Sequence, residues 1–280
     1  MPPISAVIIT LNEESCIERC IRSVLTVADE VVVVDSLSTD RTPEICRKLG
    51  VKFIEQKFLG YIEQKNFALE QAAFDHVLSL DADEALSEEL SRSILKVKDN
   101  WKHDAYQFNR LNKFCGHWIH HTNYYPDRKL RLFDRRKGQW GGVNPHDKVI
   151  MDPGTTTGRL KGDLLHWLCE TYEEHIDTIN KFSTIAAREA FKKGEKCPAW
   201  KVFYKPVWRF IQYYFVKRGF MDGYMGLVVS RNSAFLNFQK YAKLRNLIQL
   251  EKNNEKFLQA DEQVNIAQAE IRESDKSPKE

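Results

Sequence analysis

The stretch VLSLDADEAL, residues 77–86, brings a short apolar run directly into three carboxylates, Asp81, Asp83 and Glu84. Ionised carboxylates cannot stay buried without a partner, so the end of this run must meet positive charge. Two carboxylates one residue apart at a strand end can help hold a hard divalent cation. Mg²⁺ and Mn²⁺ prefer oxygen ligands, and Mg²⁺ takes one or two protein carboxylates and leaves its other positions to water and substrate phosphates. Asp81-Ala82-Asp83 therefore fits a partial site completed by a diphosphate. The same residues also fit an acidic helix start, since Leu86-Ser87-Glu88-Glu89-Leu90 follows. The apolar strand ahead of them favours the cation reading.

The elements that must position this cluster repeat through the first hundred residues. Apolar strands are expected at residues 5–9, 31–34, 51–54 and 77–80, and helical spacing at residues 17–25, 43–49 and 62–74, with Gly50 as a stop. Alternating units with continuous apolar strands predict a parallel sheet covered by helices on both faces. In such sheets ligands bind beyond the carboxyl ends of the strands. Three of these ends carry polar groups, residues 10–13, 35–40 and 81–84, and should lie along one edge.

Residues 106–149 change to short alternating segments, expected as added strands of the same domain, and residues 163–193 read as a helix stopped by Gly194. With 42% hydrophobic and 29% charged residues the chain belongs with folded, not disordered, proteins. A net charge of +3 is too small to point to nucleic acid. Six cysteines with no C-x-x-C pair read as reduced thiols of a cytosolic protein, and no apolar window is long enough to span a bilayer as a simple helix. Residues 206–245 interleave Trp208, Phe210, Tyr213, Tyr214, Phe215 and Phe220 with Arg209, Lys217 and Arg218. That composition describes a segment lying in the interface of an anionic leaflet, with packing onto the main domain or a dimer contact as the alternatives. The expected domains are 1–195, a helical extension 196–250, and a polar tail 251–280 expected to be disordered.

Together AVIITLNEE, VVVVDSLSTDRT, GYIEQKNFAL and LSLDADE resemble the family 2 glycosyltransferases of the GT-A fold, an α/β, Rossmann-like, mostly parallel sheet flanked by helices. RLFDRRKGQW, NPHDKV and the aromatic C-terminal segment resemble the branch containing lipopolysaccharide core β-1,4-glucosyltransferases. The resemblance implies a UDP-sugar donor, a divalent metal (Mn or Mg) and an inverting displacement at the anomeric carbon. It also implies a lipid-linked glycan or lipopolysaccharide acceptor, met at the inner face of the cytoplasmic membrane. On that basis Thr10, Asn12 and Glu13 line the nucleotide pocket, and Asp35 accepts hydrogen bonds from base or ribose. Ser38 and Asp40 order their loop, Asp81 faces ribose or metal, and Asp83 ligates the metal. Lys65 would offset donor phosphate charge.

The reaction needs a base for the acceptor hydroxyl proton. The resemblance assigns Asp147 to it, with His146 orienting the base or binding the acceptor. The family more often has Glu where Asp147 stands, and the Asn144-Pro145 ahead of the His is a second departure. Trp118, Tyr124 and Tyr125 are candidates to stack on acceptor sugars. Arg128 and Arg131 are candidates for phosphate or acidic-sugar contacts, against the alternative of ordinary surface salt bridges. Cys115, His117, His120 and His121 are zinc-type residues without the second cluster that a structural zinc needs. Two alternatives remain: a nucleotidyltransferase, disfavoured because TLNEES lacks a glycine-rich phosphate loop, and an inactive nucleotide-sugar-binding or scaffold protein.

Overall fold

The structure, a computed structural model, describes the backbone of residues 1–143 and 146–274 and the side chains of residues 1–142 and 147–253. The chain divides into two compact units, Met1–Glu170 and Thr171–Glu280. The division falls at Glu170, ahead of a helix that the expected boundary at 195 had placed in the first domain.

In the first unit β1 (Ile4–Thr10), β2 (Glu30–Asp35), β3 (Lys52–Glu55) and β4 (His76–Asp81) are parallel, in the order β3-β2-β1-β4. The connections carry α1 (Ile17–Val24), α2 (Thr42–Lys48) and α3 (Tyr61–Glu70). Successive strand residues point to opposite faces, which explains the unbroken valines of β2. Val31 and Val33 enter the core cluster with Ile17 and Ile21 of α1, while Val32 and Val34 enter the one with Ala68 and Leu69 of α3. A strand covered on both faces has no use for a polar alternate.

The rest of the unit adds β5 (Glu84–Leu86), α4 (Glu88–Asp99), β6 (Ala105–Phe114), β7 (His117–Ile119), β8 (Asp127–Asp134), β9 (Gly138–Val143), β10 (His146–Met151) and β11 (Thr157–Cys169). The sheet continues β4-β8-β6-β11-β5, with β7 beside β6. β8 runs antiparallel to both β4 and β6, and β11 runs parallel to β6. β9 and β10 form a separate hairpin. Ser87, not the carboxylates, caps α4, its hydroxyl accepting from Leu90 N–H at 3.2 Å.

One element differs from expectation. Residues 163–169, read as the start of a helix, are the end of β11, where Leu164, Leu165 and His166 pair with β6 on one side and β5 on the other. An apolar run of this length does not separate strand from helix by periodicity alone, and here the two flanking strands decide it. The helix begins after the capping box of Thr171 and Glu174, as α5 (Tyr172–Lys192). Gly194, at φ +68°, follows its end as expected.

The second unit also contains α6 (Ala199–Ile211) and α7 (Gly223–Ser274), joined by a π turn and a 3₁₀ turn. Ala187 and Ala190 of α5, Cys197, Val202 of α6, and Tyr241 and Leu244 of α7 form its core. Trp200, Phe203, Tyr204, Val207, Trp208 and Ile211 recur every three to four residues along α6, yet all are exposed. The segment from 251, expected to be disordered, is helical as far as Ser274. Its Glu, Lys, Gln, Ala and Leu are strong helix formers, so local propensity favours the helix; residues 275–280 of the expected tail lie outside the described residues.

Gly162 lies where the β11–β6 register shifts, with φ +89°, and a Cβ there would stand 2.2 Å from the Leu90 nitrogen. Gly162→Ala is expected to lower stability by about 1–3 kcal/mol, measured by urea unfolding. An unchanged unfolding midpoint would contradict this close approach of β11 to α4.

Candidate active site

The parallel strands end in register: Thr10 pairs with Asp35, and Ile9 with Asp81. The polar ends therefore share one edge. Asn12, at φ +55°, takes a conformation that Asn tolerates better than most residues. Its backbone N–H donates to Ser38 Oγ at 2.7 Å, and its Oδ1 accepts from Thr39 N–H at 2.8 Å. Asp40 accepts from the N–H groups of Thr42 and Glu14, at 2.9 and 3.0 Å, and Thr42 Oγ1 accepts from Glu13 N–H at 2.9 Å. Asp35 is fully buried, and both its oxygens accept from Ser38. It is thus tied to the loop that Ser38 and Asn12 close. Thr10 Oγ1 is buried with no hydrogen-bond partner among the described residues. Burial, reinforced by the negative charge of Asp83, pushes the Glu13 carboxyl up to about 7.

At the end of β4 a charged network closes around one indole. Lys65 Nζ of α3 reaches Asp81 Oδ1 at 3.0 Å and Asp147 Oδ2 of β10 at 2.7 Å. Arg131 Nη2 of β8 donates to Asp81 Oδ2 at 3.1 Å and Glu84 Oε1 at 3.2 Å. Arg110 of β6 adds a bond to Glu84 Oε1 at 3.3 Å and pairs with Asp127 at 2.9 Å. Trp140 of β9 carries Lys65 Nζ 4.3 Å and the Arg131 guanidinium carbon 4.8 Å from its ring centre. Asn66, the neighbour of Lys65, fixes this indole by exchanging two hydrogen bonds with the Trp140 backbone, at 2.9 and 3.0 Å. Burial opposes ionisation of Asp81, but Lys65 and Arg131 outweigh it and hold the carboxyl well below the usual carboxylate range.

Lys65, expected to offset donor phosphate charge, and Arg131, expected to contact the acceptor, are each only 4% exposed. Each meets two carboxylates, and Arg131 Nε is buried with no hydrogen-bond partner among the described residues. Both answer the burial cost of Asp81, Glu84 and Asp147.

Asp83 is outside that network. Its Oδ2 lies 3.2 Å from His166 Nε2 of β11, while its Oδ1 is buried with no hydrogen-bond partner among the described residues. The tautomer of His166 follows from its other side. Asn112 Nδ2 donates to the Tyr124 carbonyl at 2.7 Å, so its Oδ1 must face His166 Nδ1, at 2.6 Å, and accept a proton from it. A neutral ring then turns the Nε2 lone pair toward a carboxylate oxygen. That arrangement needs positive charge between or upon the two groups, and an imidazole nitrogen beside a carboxylate suits a divalent cation. Among the described residues no group of three or more His, Cys, Asp or Glu is placed to hold a metal ion. Sequence reasoning missed His166 and Asn112. LLHWL, residues 164–168, carries no alternation that separates strand from helix.

Of the remaining expected residues, Asp147 lies on β10, and the side chain of His146 lies outside the described residues. Trp118 is half-buried and meets Trp167 edge-on at 5.3 Å. Tyr125 is held by Asn109 and Asp163 at 3.2 and 3.1 Å, while Arg128 is exposed. The structure brings Asp81, Asp147 and Lys65 together and leaves Arg128 apart from that network.

The family model described as Glycosyl transferase family 2 matches residues 5–151, more than half of the chain. The chain belongs to glycosyl transferase family 2. An uncharacterized glycosyltransferase of Rickettsia typhi is 34% identical over 257 residues, covering 88% of each chain. The lipopolysaccharide core biosynthesis glycosyltransferase LpsC of Rhizobium meliloti is 30% identical over 250 residues, covering 86% of this chain and 92% of that one. The crystal structure of S. aureus TarS 1–349 aligns with 88% of this chain and 91% of that one, at 15% identity and TM-score 0.44. The protein is thus a glycosyltransferase of GT-A fold, which sets the nucleotidyltransferase alternative aside.

Lys65→Met leaves the half-buried Asp81 and Asp147 short of a cation and is expected to cost about 3 kcal/mol in urea unfolding. Arg128→Ala, at an exposed position, is expected to stay within about 0.5 kcal/mol of the parent. Equal stability of the two variants would contradict the network's role.

Proposed function

We propose that this family 2 glycosyltransferase is an inverting, metal-dependent enzyme that moves glucose or another hexose from a UDP-sugar to a lipid-linked glycan such as a lipopolysaccharide core. The observation that carries the reading is the Asp83 and His166 pair at the carboxyl edge of the sheet, where Asp83 Oδ1 is buried with no hydrogen-bond partner among the described residues and Asp83 Oδ2 lies 3.2 Å from His166 Nε2. A divalent cation, Mn²⁺ or Mg²⁺, held by Asp83 and His166 would supply positive charge to the diphosphate leaving group. Thr10, Asn12 and Glu13 line the nucleotide side, and the partnerless Thr10 hydroxyl is available to it. The name of the relative LpsC supports the lipopolysaccharide acceptor.

In the proposed reaction the acceptor oxygen bonds to the anomeric carbon as the bond from that carbon to the diphosphate oxygen breaks. UDP leaves with the electron pair, and the acceptor proton passes to Asp147. Lys65 holds Asp147 by Oδ2, which leaves Oδ1 for the proton. An α-linked donor then gives a β-linked product. In a UDP-release assay with UDP-hexoses and Mn²⁺, Asp83→Ala and His166→Ala are each expected to slow turnover by at least about tenfold and to raise the metal concentration needed. Undiminished, EDTA-resistant turnover in both would sink the metal assignment, and tight UDP binding without turnover of any UDP-hexose would favour the inactive-binder alternative.

The second unit supplies the membrane contact of this reading, at the inner face of the cytoplasmic membrane. Among the described residues no helix is long and apolar enough to cross a membrane. The exposed stripe of α6 continues through Phe215, Val216, Phe220, Met221 and Tyr224. From 196 to 221 there is no Asp or Glu, while Lys205, Arg209, Lys217 and Arg218 accompany the aromatics. This is the pattern of an interfacial segment on anionic lipid. A two-fold contact between copies would set the same cations against each other. The proposed face runs from about Trp200 to Tyr224 and not over all of 206–245, since Tyr241 and Leu244 are core. Co-sedimentation with phosphatidylglycerol-containing vesicles is expected to exceed that with phosphatidylcholine alone, and to fall in Phe203→Ser/Trp208→Ser. Equal binding to both vesicle types would refute the anionic-leaflet contact.

A further inference from the structure

Beside Asp83 and His166 runs a row of cations and indoles, of which only Trp118 has a role above, as a candidate to stack on acceptor sugars. Trp167 follows His166 on β11, and its backbone N–H donates to the Asp83 carbonyl at 3.0 Å. The Arg19 guanidinium of α1 lies over the Trp167 ring, 3.5 Å from its centre. Trp118 meets the same indole edge-on, and Lys113 Nζ stands 5.6 Å from the Trp118 ring centre. Strand pairing makes the row: Trp167 lies opposite Lys113, and Lys113 opposite Trp118. All four residues are half-buried.

The charge in this row is unbalanced. Among the described residues neither Arg19 nor Lys113 has a carboxylate at ion-pair distance; the other contact of Arg19 is Nη2 to Cys16 Sγ at 3.1 Å. This contrasts with Lys65 and Arg131, each held by two carboxylates. A guanidinium stacked on an indole keeps its edge donors in the plane, ready for a carboxylate or phosphate. The apolar faces of the two indoles suit the C–H face of a pyranose. Cations without counter-charge become costly when a ligand displaces their water, unless the ligand brings negative charge.

We propose that Arg19, Trp167, Trp118 and Lys113 form an acceptor subsite and that the acceptor sugar carries an acidic group, phosphate or carboxylate. The proposal rests on the transferase reading for the donor side and names the class of acceptor. Arg19 and Lys113 bind the acid, and the indoles carry the ring, next to the residues assigned to the donor.

The test is a titration of the full-length protein, with UDP and Mn²⁺ present, by three probes: a methyl hexoside 6-phosphate, a methyl hexuronide and a neutral methyl hexoside. Tryptophan fluorescence and saturation-transfer NMR report binding. At least one acidic probe is expected to bind about tenfold or more tightly than the neutral one, and whichever binds better identifies the phosphate or the carboxylate. Arg19→Gln and Lys113→Met are each expected to weaken that probe about tenfold and flatten its salt dependence, with UDP affinity and melting temperature unchanged. Arg19→Lys, which keeps charge but loses the planar fork, is expected to fall between. Equal binding of the neutral probe, equal binding of inorganic phosphate and the sugar phosphate, or variants that bind the acidic probe like the parent would each overturn the proposal. Failure of the parent to bind UDP, with acidic sugars still bound, would fell the donor reading; UDP binding without preference for acid would fell only the acidic acceptor.

Discussion

A buried carboxylate has to be met by a cation, and in this protein the carboxylates at the end of β4 are met by Lys65 and Arg131. This pairing joins elements far apart in sequence: α3, β4, β8 and β10 all contribute a charged group to it. Trp140 supplies a ring face to both cations, and Asn66 locks that ring to α3. Such a network is weak evidence for net stability, because the desolvation of each ion offsets much of its attraction. Its consequence is geometric. Asp81 Oδ1 and Oδ2 are each assigned a cation, so the chain leaving β4 toward Asp83 starts from a fixed position.

The site therefore arises at the join between two kinds of sheet. The parallel half contributes the loop carboxylates that its crossovers bring to one edge, Glu13, Asp35 and Asp81. The mixed half contributes what neutralises or complements them: Arg131 from β8, Arg110 and Asn112 from β6, and His166 from β11. The bulge at Gly162 brings the backbone of β11 against the start of α4, and Ser87 ties the two by accepting from both Leu90 and Asp163 N–H. The strands that carry His166 and Arg131 are thus constrained by the same packing that ends β4.

The parallel half was legible in the sequence because its strands are buried on both faces, and the valines of β2 leave no other reading. The carboxyl edge followed from topology alone. The mixed half was not legible to the same degree. LLHWL could be strand or helix, and only pairing with β5 and β6 decides. Arg131 and Lys65 looked like surface or substrate cations because a sequence does not reveal that their neighbours on three other elements are buried acids. Asp35 looked like a nucleotide ligand for a similar reason, since its partner Ser38 had been read only as ordering a loop. The stripe of α6 was visible as aromatic and basic composition, but its outward orientation depends on which residues the second unit's core consumes.

The two aspartates of the DAD sequence illustrate how burial separates residues that spacing treats alike. Asp81 is spoken for on both oxygens by Lys65 and Arg131, so a cation there would have to displace a lysine or an arginine. Asp83, two residues on, has one buried oxygen with no hydrogen-bond partner among the described residues, and its other oxygen faces His166 Nε2. An unpaired carboxylate oxygen in a buried position persists only at a cost. The first aspartate is thus tied by two cations on two other elements, and the second only by His166 on one oxygen.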